Sequence, residues 1–203
     1  MIPLFPLPNV VLFPNVFLPL HIFEDRYRTM IRDALAGDRI IGMVLLRGGA
    51  SPAAMAPPIY DIGCSGLITH SEPVGDGRSN IVLRGLERFR VLVEDHTGPY
   101  RQATIGPLPE PALGDEGLHS DRERLEQLLD QRLRARGSET WAPAKMADGD
   151  LVNALSQYLE LAPIEKQALL ERDGLMERCQ SLIDLLEMDA LTDGRVFSRT
   201  TVQ

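Results

Sequence analysis

Residues 2–14 read IPLFPLPNVVLFP and residues 18–28 read LPLHIFEDRYR, and this opening decides the fold. It is apolar but repeatedly interrupted by proline, which removes a backbone donor and is confined in sheets to edges, bulges and strand starts. The opening therefore predicts short extended pieces, at residues 10–13 and 16–18, that bend sharply. A helix should follow, ending at Gly37. Its apolar face would consist of Phe23, Tyr27, Met30, Ile31 and Ala34.

The remaining pattern separates strands from helices. Apolar or alternating runs at residues 40–46, 59–69, 80–94 and 100–105 predict strands, with a hairpin turn at residues 75–77 and loops at 48–58 and 107–111. From residue 120 onward the period is helical, up to a frayed polar tail after Leu191. We expect an α+β fold: a β-rich region at 1–110 with one early helix, and a helical region at 111–203 packed on it.

Composition and charge limit the binding partners and the cellular location that we expect. The net charge of -8 disfavours phosphate backbones and anionic membrane surfaces. The start of the chain lacks a signal-peptide pattern, and no apolar run is long enough to span a bilayer. Two cysteines, Cys64 and Cys179, do not make a disulfide framework in a chain of 203 residues. We therefore expect a cytoplasmic protein with reduced thiols.

The sequence lacks the residue patterns of common catalytic sites. Neither lysine, Lys145 nor Lys166, follows a glycine as a Walker A loop requires, and Lys166 lies among polar neighbours that predict a solvated position. Cys64 and His70 could ligate zinc, but a structural site needs four ligands, so a buried thiol and a surface imidazole are favoured. Cys179 falls on an apolar helix face and should be a core residue. We expect no enzymatic activity, no cofactor and no metal site.

Three arginines, Arg84, Arg88 and Arg90, have even spacing and would share one face of a continuous strand. Such a face could bind an anion or a nucleic acid. Alternatively, the guanidinium groups could pair with carboxylates of the acidic helical region, which the net charge favours. A bulge at Gly85 would also shift the register.

The opening at residues 2–14 and 18–28 strongly resembles the start of the N-terminal substrate-binding domain of Lon proteases. Later blocks at residues 42–44, 62–66 and 85–91 are similar to that family in the same order. The resemblance implies a β-barrel of the PUA-like type, followed by a helical bundle. It also implies capture of unfolded or exposed protein segments. The sequence ends at Gln203 without an ATPase or protease region, so unfolding and cleavage are not expected to carry over.

We therefore expect an ATP-independent, non-catalytic module that binds apolar protein segments by strand addition at an open edge or by side-chain insertion into a groove. An RNA-binding PUA-like module, and an adaptor or regulator that docks on a Lon-type protease, are the alternatives. The oligomeric state is left open. Core packing is the alternative role for each aromatic contact candidate. The contact candidates are Phe5, Val11, Phe13, Phe17 and Met55, the last chosen because a methionine in a loop adapts to varied partners.

Overall fold

The computed structural model of the protein describes residues 1–48, 57–110, 118–135 and 146–198. These ranges hold six strands and five helices, which confirms the α+β class. The strands are β1 (Ile2–Leu7), β2 (Phe17–Ile22), β3 (Ile40–Leu45), β4 (Ile62–Gly75), β5 (Arg78–Asp95) and β6 (Gln102–Leu108). The helices are α1 (Asp25–Ala36), α2 (His119–Ala135), α3 (Asp148–Tyr158), α4 (Pro163–Leu170) and α5 (Leu175–Ser198).

The strands form one sheet in the order β2-β5-β4-β3-β1-β6. β1 and β3 are parallel, and the other neighbours are antiparallel. β5 also pairs with β6, so the pairings of β5, β4, β3, β1 and β6 form a closed circuit. β2 pairs only with β5 among the described strands and is therefore an edge strand.

Strand β5 changes partner at Gly85. Residues 79–84 pair with β2, whereas residues 88–95 pair with β6. Between them, a turn places Asn15 and Val16 against Gly85: Asn15 N donates to Gly85 O, and Gly85 N donates to Val16 O, both at 2.9 Å. Asn15 has a φ of 61°, which asparagine tolerates better than most residues. A Cβ at Gly85 would lie only 2.0 Å from Phe13 O, so this crossing requires glycine.

A buried apolar cluster draws on four of the strands and on the residues that flank β3 and β4. Four branched aliphatic side chains, one phenylalanine and one alanine fill it, as expected of strands buried on one face. Its members are Leu4, Val44, Leu46, Ile59, Phe89 and Ala103.

Helix α1 follows β2 closely, after Glu24 at its N-cap, and ends at Gly37. Asp25 in its first turn interacts favourably with the helix dipole. The predicted helix is confirmed, and four of the five predicted face residues are buried: Tyr27, Met30, Ile31 and Ala34. The fifth, Phe23, precedes the helix and is 60% exposed.

The described chain divides into two compact units. The first contains residues 1–109 together with residues 153–171, and the second contains residues 110–152 and 172–203. This grouping differs from the expected division at residue 110, because side chains of residues 153–171 bond to the strands and their connections. Gln157 Oε1 accepts from Phe13 N at 3.2 Å, and Gln167 Nε2 donates to Ile62 O at 3.0 Å.

Within the second unit, ion pairs join the helices. Arg124 pairs with Glu187 at 2.5 Å and Arg132 with Asp189 at 2.5 Å, which connects α2 to α5. The Arg178 side chain is fully buried and pairs with Glu110 at 2.7 Å. A buried arginine is costly unless it is paired, so this contact holds residue 110 to α5.

Several element boundaries differ from the prediction. The first strands are residues 2–7 and 17–22 rather than 10–13 and 16–18. Leu4 N donates to the carbonyl of Arg101, the residue just before β6. Pro6 is two residues further along β1, so its nitrogen, which carries no hydrogen, faces the same side as Leu4 N. The paired register with β6 covers only residues 2 and 3, so Pro6 interrupts no ladder bond there. The frayed tail predicted after Leu191 does not begin there, because α5 continues to Ser198; the rest of that tail lies outside the described residues.

Replacing Gly85 with alanine should destabilise the fold by about 3 kcal/mol, because the added methyl group would overlap the Phe13 carbonyl. Urea unfolding followed by circular dichroism measures this change. Gly48→Ala is the matched control, since no atom lies within 4 Å of a Cβ placed there. The two variants should differ clearly; equal unfolding free energies would contradict the close approach.

Candidate functional site

An apolar groove of about 250 Å³ lies in the first unit, where the end of β1, the end of β2 and the first turn of α1 meet. Its lining is overwhelmingly carbon. The residues around it are Phe5, Pro6, Leu7, Pro8, Leu20, His21, Ile22, Phe23, Glu24, Arg26 and Tyr27.

Two aromatic rings form the buried wall of the groove. Phe5 and Tyr27 are buried, and their ring centroids lie 4.4 Å apart with the planes tilted by 47°. Tilted aromatic pairs of this kind are favourable beyond their buried area. Burial raises the pKa of the Tyr27 phenol, so the ring is neutral at physiological pH. This wall therefore presents an uncharged, preformed surface.

The rim is partly aromatic and partly ionic. The His21 and Phe23 rings stack with centroids 6.1 Å apart, and His21 Nδ1 lies 2.8 Å from Asn80 Oδ1. The Arg26 guanidinium lies over the Tyr27 ring, 4.5 Å from its centroid, and pairs with Glu24 Oε2 at 2.9 Å. The rim charges of Arg26 and Glu24 are thus satisfied by each other, and the exposed Phe23 ring stands beside the opening.

The size of the groove limits what it can hold. A cavity of about 150 Å³ lined by aliphatic and aromatic side chains accommodates one benzene ring. A groove of about 250 Å³ therefore fits one large apolar side chain. Drug-sized ligands and cofactors occupy pockets of about 300–1,000 Å³ that carry several convergent polar groups. The arrangement suits an anchoring side chain better than a cofactor.

The predicted aromatic contact residues separate in the structure. Phe5 lines the groove and Phe17 is 50% exposed on β2, whereas Val11 and Phe13 are buried and do not line it. Core packing was the alternative given for such residues. Met55 lies outside the described residues.

Sequence reasoning missed Leu20, Ile22 and Phe23 as groove residues. Phe23 was assigned to the helix face because its spacing from Tyr27 is helical. A signal was nevertheless present: Phe23 precedes Glu24 and Asp25, and acidic residues mark a helix start. An apolar residue before that start lies outside the helix, and this pattern would have identified Phe23.

The three arginines do not form one exposed face. Arg88 is buried and its Nη1 donates to Leu170 O at 3.0 Å, whereas Arg84 and Arg90 are exposed. A bulge separates Arg84 from the other two: Cys64 pairs with Arg88 and Gly66 with Gly85, so three steps along β5 match two along β4. Arg88 and Arg90 lie on the same side of this bulge, and they differ because Arg88 is buried where it bonds to Leu170 at the end of α4. Arg84 Nη2 donates to Asn15 Oδ1 at 3.3 Å. Arg88 thus bonds within the chain, to the Leu170 carbonyl at the end of α4.

The predicted solvated position of Lys166 was wrong. Its Nζ donates to Gln157 O at 2.6 Å, near the end of α3, and burial lowers the pKa of the ammonium group. A cation at a helix C-terminus is favourable because the last carbonyls lack helical partners. Lys166 therefore has a structural role in holding α4 to the end of α3.

Metal-binding and thiol chemistry find no support in the described ranges. No three histidine, cysteine or acidic side chains within them gather as metal ligands. Cys64 and Cys179 are both buried, as predicted, and they are not joined in a disulfide. Burial, with smaller contributions from Asp121 and Asp148, raises the pKa of Cys179 to about 12. None of the helices described is long and apolar enough to cross a membrane.

With this geometry established, comparison with known proteins places the chain in a family. The sequence profile of the ATP-dependent protease La (Lon) substrate-binding domain matches residues 1–188. The chain belongs to this family, as the resemblance in the opening residues predicted.

The relatives include whole proteases. Lon protease of Flavobacterium johnsoniae is 29% identical over 195 residues, which cover 93% of this chain and 24% of that protein. Lon protease 2 of Myxococcus xanthus is 28% identical over 194 residues, covering 91% of this chain and 23% of that protein. The chain thus spans about a quarter of the length of these relatives. The matched region is the substrate-binding domain and not the protease or ATPase region.

Two solved structures share the fold. One is the Lon N-terminal domain protein from Xanthomonas campestris, with a TM-score of 0.63, 23% identity, and coverage of 90% of this chain and 96% of that one. The other is the N-terminal domain of Lon protease from Mycobacterium avium complex, with a TM-score of 0.64, 21% identity, and coverage of 92% and 97%.

Both cysteines should resist thiol reagents in the folded protein, because both are buried. For Cys179, a pKa of about 12 leaves about one thiolate in ten thousand at pH 8. Titration with Ellman's reagent at that pH measures this resistance. Ser120→Cys, which adds a thiol at an exposed position of α2, should react at once, and urea should release both native thiols. Native thiols that react as fast as the added one would refute the burial of these sites.

Proposed function

We propose that the protein binds exposed apolar side chains of unfolded or partly folded polypeptides in the groove between β1, β2 and α1, without catalysis and independently of ATP. The observation that carries this proposal is a preformed groove that is almost wholly apolar, in a domain of the Lon substrate-binding family. The groove offers no activated nucleophile and no acid–base pair, so its chemistry is desolvation of a bound side chain.

The energetics fit a weak, general binding site. Burying one large apolar side chain contributes about 1.5–3 kcal/mol, and association costs several kcal/mol in lost freedom. One groove alone therefore gives low affinity, which suits transient capture of many different segments. Large apolar side chains that an unfolded chain exposes are mostly buried once the chain has folded, so such a site discriminates unfolded from folded chains.

Further aspects of the function are part of the same proposal. The closed circuit of strand pairings supports a PUA-like barrel, and helices α2 to α5 are the helical part that follows it in the chain. We place the protein in the cytoplasm, where unfolded chains are abundant. Binding through Phe5, Phe17 and Met55 belongs to this proposal, whereas Val11, Phe13 and Arg88 would act through the core. We propose a Lon-type protease as the protein with which this chain associates.

RNA binding would be favoured by an exposed face that contains all three arginines. Arg88 is buried, so Arg84 and Arg90 are separate exposed cations. With a net charge of -8, RNA binding would need a concentrated basic face to overcome the repulsion. The geometry therefore supports polypeptide binding over nucleic-acid binding.

Phe23→Ala should weaken binding of an apolar peptide about tenfold, because it removes the exposed ring beside the groove. The probe is a fluorescein-labelled Gly/Ser peptide with a central Leu-Phe-Leu sequence, measured by fluorescence anisotropy. The same peptide with serine at those three positions should not bind.

Magnesium ATP should not change the affinity for the peptide. The peptide should not be shortened, and no phosphate should be released.

The matched control is Leu92→Ala, since Leu92 is 57% exposed on β5 and does not line the groove. This variant should bind as the unmodified protein does. Equal binding by both variants would reject the groove as the site. ATP turnover or peptide cleavage that disappears on changing one side chain would reject the non-catalytic function.

A further inference from the structure

Strand β2 carries a row of exposed side chains that leads away from the groove. Its burial alternates: Phe17, Pro19 and His21 are exposed, whereas Leu18 and Leu20 are partly covered and Ile22 is buried. Alternate residues of a strand share a face, and the stacking of His21 on Phe23 shows that the row continues past the strand end. We define the β2 stripe as Phe17, Pro19, His21 and Phe23.

Aromatic exposure is concentrated at this stripe. Among the aromatic residues whose burial the structure describes, Phe17, Phe23 and Tyr158 have side chains that are at least half exposed. Tyr158 is 64% exposed and its hydroxyl donates to Phe17 O at 2.7 Å, which holds it beside the start of β2. The stripe therefore has an apolar contact point at each end: Phe17 with Tyr158, and Phe23 with the groove.

The backbone edge of β2 is poorly suited to strand addition. Gly85 N bonds to Val16 O, and in the register of β2 and β5 the even-numbered residues therefore bond to β5. The groups that face away from β5 belong to Phe17, Pro19 and His21. Pro19 has no donor and the Phe17 carbonyl already accepts from Tyr158. A bound segment would be held mainly by its side chains.

Three pairs of opposite charges around the stripe are satisfied within the chain, and Arg84, opposite Phe17 in the register with β5, is exposed and donates to Asn15 Oδ1. Arg26 pairs with Glu24, Arg28 with Asp25 and Arg78 with Asp76, at 2.9, 2.7 and 3.3 Å. The surface thus has little net charge to offer a phosphodiester backbone or a strongly acidic peptide. The occupant that complements it is an extended polypeptide segment whose contacting side chains are apolar.

We propose that the β2 stripe reads the spacing of apolar residues in an extended polypeptide: one side chain enters the groove while a second, four or six residues away, packs against Phe17 and Tyr158. This inference rests on the proposed function of the groove. Phe17 is four residues from His21 and six from Phe23, or about 13–20 Å at the rise of a strand. An extended segment has the same rise and alternation, so only even spacings place both side chains towards β2.

The test uses four labelled Gly/Ser peptides measured by fluorescence anisotropy: one with a single phenylalanine, and three with two phenylalanines separated by four, five or six positions. The four- and six-residue spacings should bind about tenfold more tightly than the single phenylalanine, since the second contact becomes intramolecular. The five-residue spacing should gain no more than about the twofold statistical factor of having two sites. Equal gains for even and odd spacings would overturn the proposal.

Phe17→Ser should remove the tenfold advantage of the even spacings over the single phenylalanine. Tyr158→Ala is a second variant with the same expectation, and Leu92→Ser is the control for an exposed apolar residue elsewhere on β5. Circular dichroism verifies that each variant is folded. Retention of the even-spacing advantage in both variants would overturn the stripe.

The same experiment separates the two proposals. If no peptide binds, or if Phe23→Ala leaves every affinity unchanged, the proposed function of the groove fails. If the single-phenylalanine peptide binds through Phe23 but spacing has no effect, only the stripe fails. Tighter binding of an oligouridine than of the best peptide, with a steep loss of affinity as salt rises, would assign the stripe to RNA stacking instead.

Discussion

The close approach of Gly85 to the Phe13 carbonyl is the constraint on which the arrangement depends. At this point β5 leaves β2 and begins to pair with β6, so one long strand serves both the closed circuit and the edge strand. The turn that crosses Gly85 is held on its other side by Gln157, whose side chain accepts from Phe13 N. A side chain at residue 85 would push this turn away, and β2 would lose the position from which it lines the groove.

The groove is a consequence of that crossing. Because β2 has one partner strand and passes directly into α1, its last residues and the first turn of the helix form two sides of a cleft whose third side is the end of β1. The prolines of the opening segment fit this arrangement. Pro19 lies on the open edge and Pro6 lies beyond the paired part of β6, positions at which a missing donor costs no ladder bond.

The sequence was sufficient to predict much of the fold. Hydrophobic period separated strands from helices, and the glycines at residues 75 and 77 marked the β4–β5 turn, where both have positive φ. What pattern alone could not supply were contacts between distant residues. The grouping of residues 153–171 with the strands depends on single hydrogen bonds made by Gln157 and Gln167. The hydrogen-bond partners of a polar residue on a helix cannot be predicted from the sequence pattern. The predicted arginine face is not formed, because one extra residue in β5 shifts Arg84 relative to the other two and because Arg88 is buried against the end of α4.

The candidate site was predictable only in part. Phe5 and Phe17 were identified because apolar residues of the opening segment are plausible contacts, but Val11 and Phe13 belong to the same segment and are buried without lining the groove. Their burial follows from the turn against Gly85, which no local pattern encodes. Conversely, the helical spacing of Phe23 and Tyr27 predicted that Phe23 lies on the helix face. Phe23 precedes the N-cap residue Glu24, so this spacing does not apply to it. Local pattern thus indicated the segment that forms the site, whereas tertiary contacts decided which of its side chains face solvent.

The most direct test of the central claim is an NMR titration of the protein, labelled at its isoleucine and leucine methyl groups and backbone amides, with the Leu-Phe-Leu peptide. The account predicts that the signals of Leu7, Leu20, Ile22 and Tyr27 shift together as the groove fills, while those around Leu92 and along α5 remain in place. Shifts confined to residues outside the groove, with the signals of Leu20 and Ile22 unchanged at saturation, would contradict it.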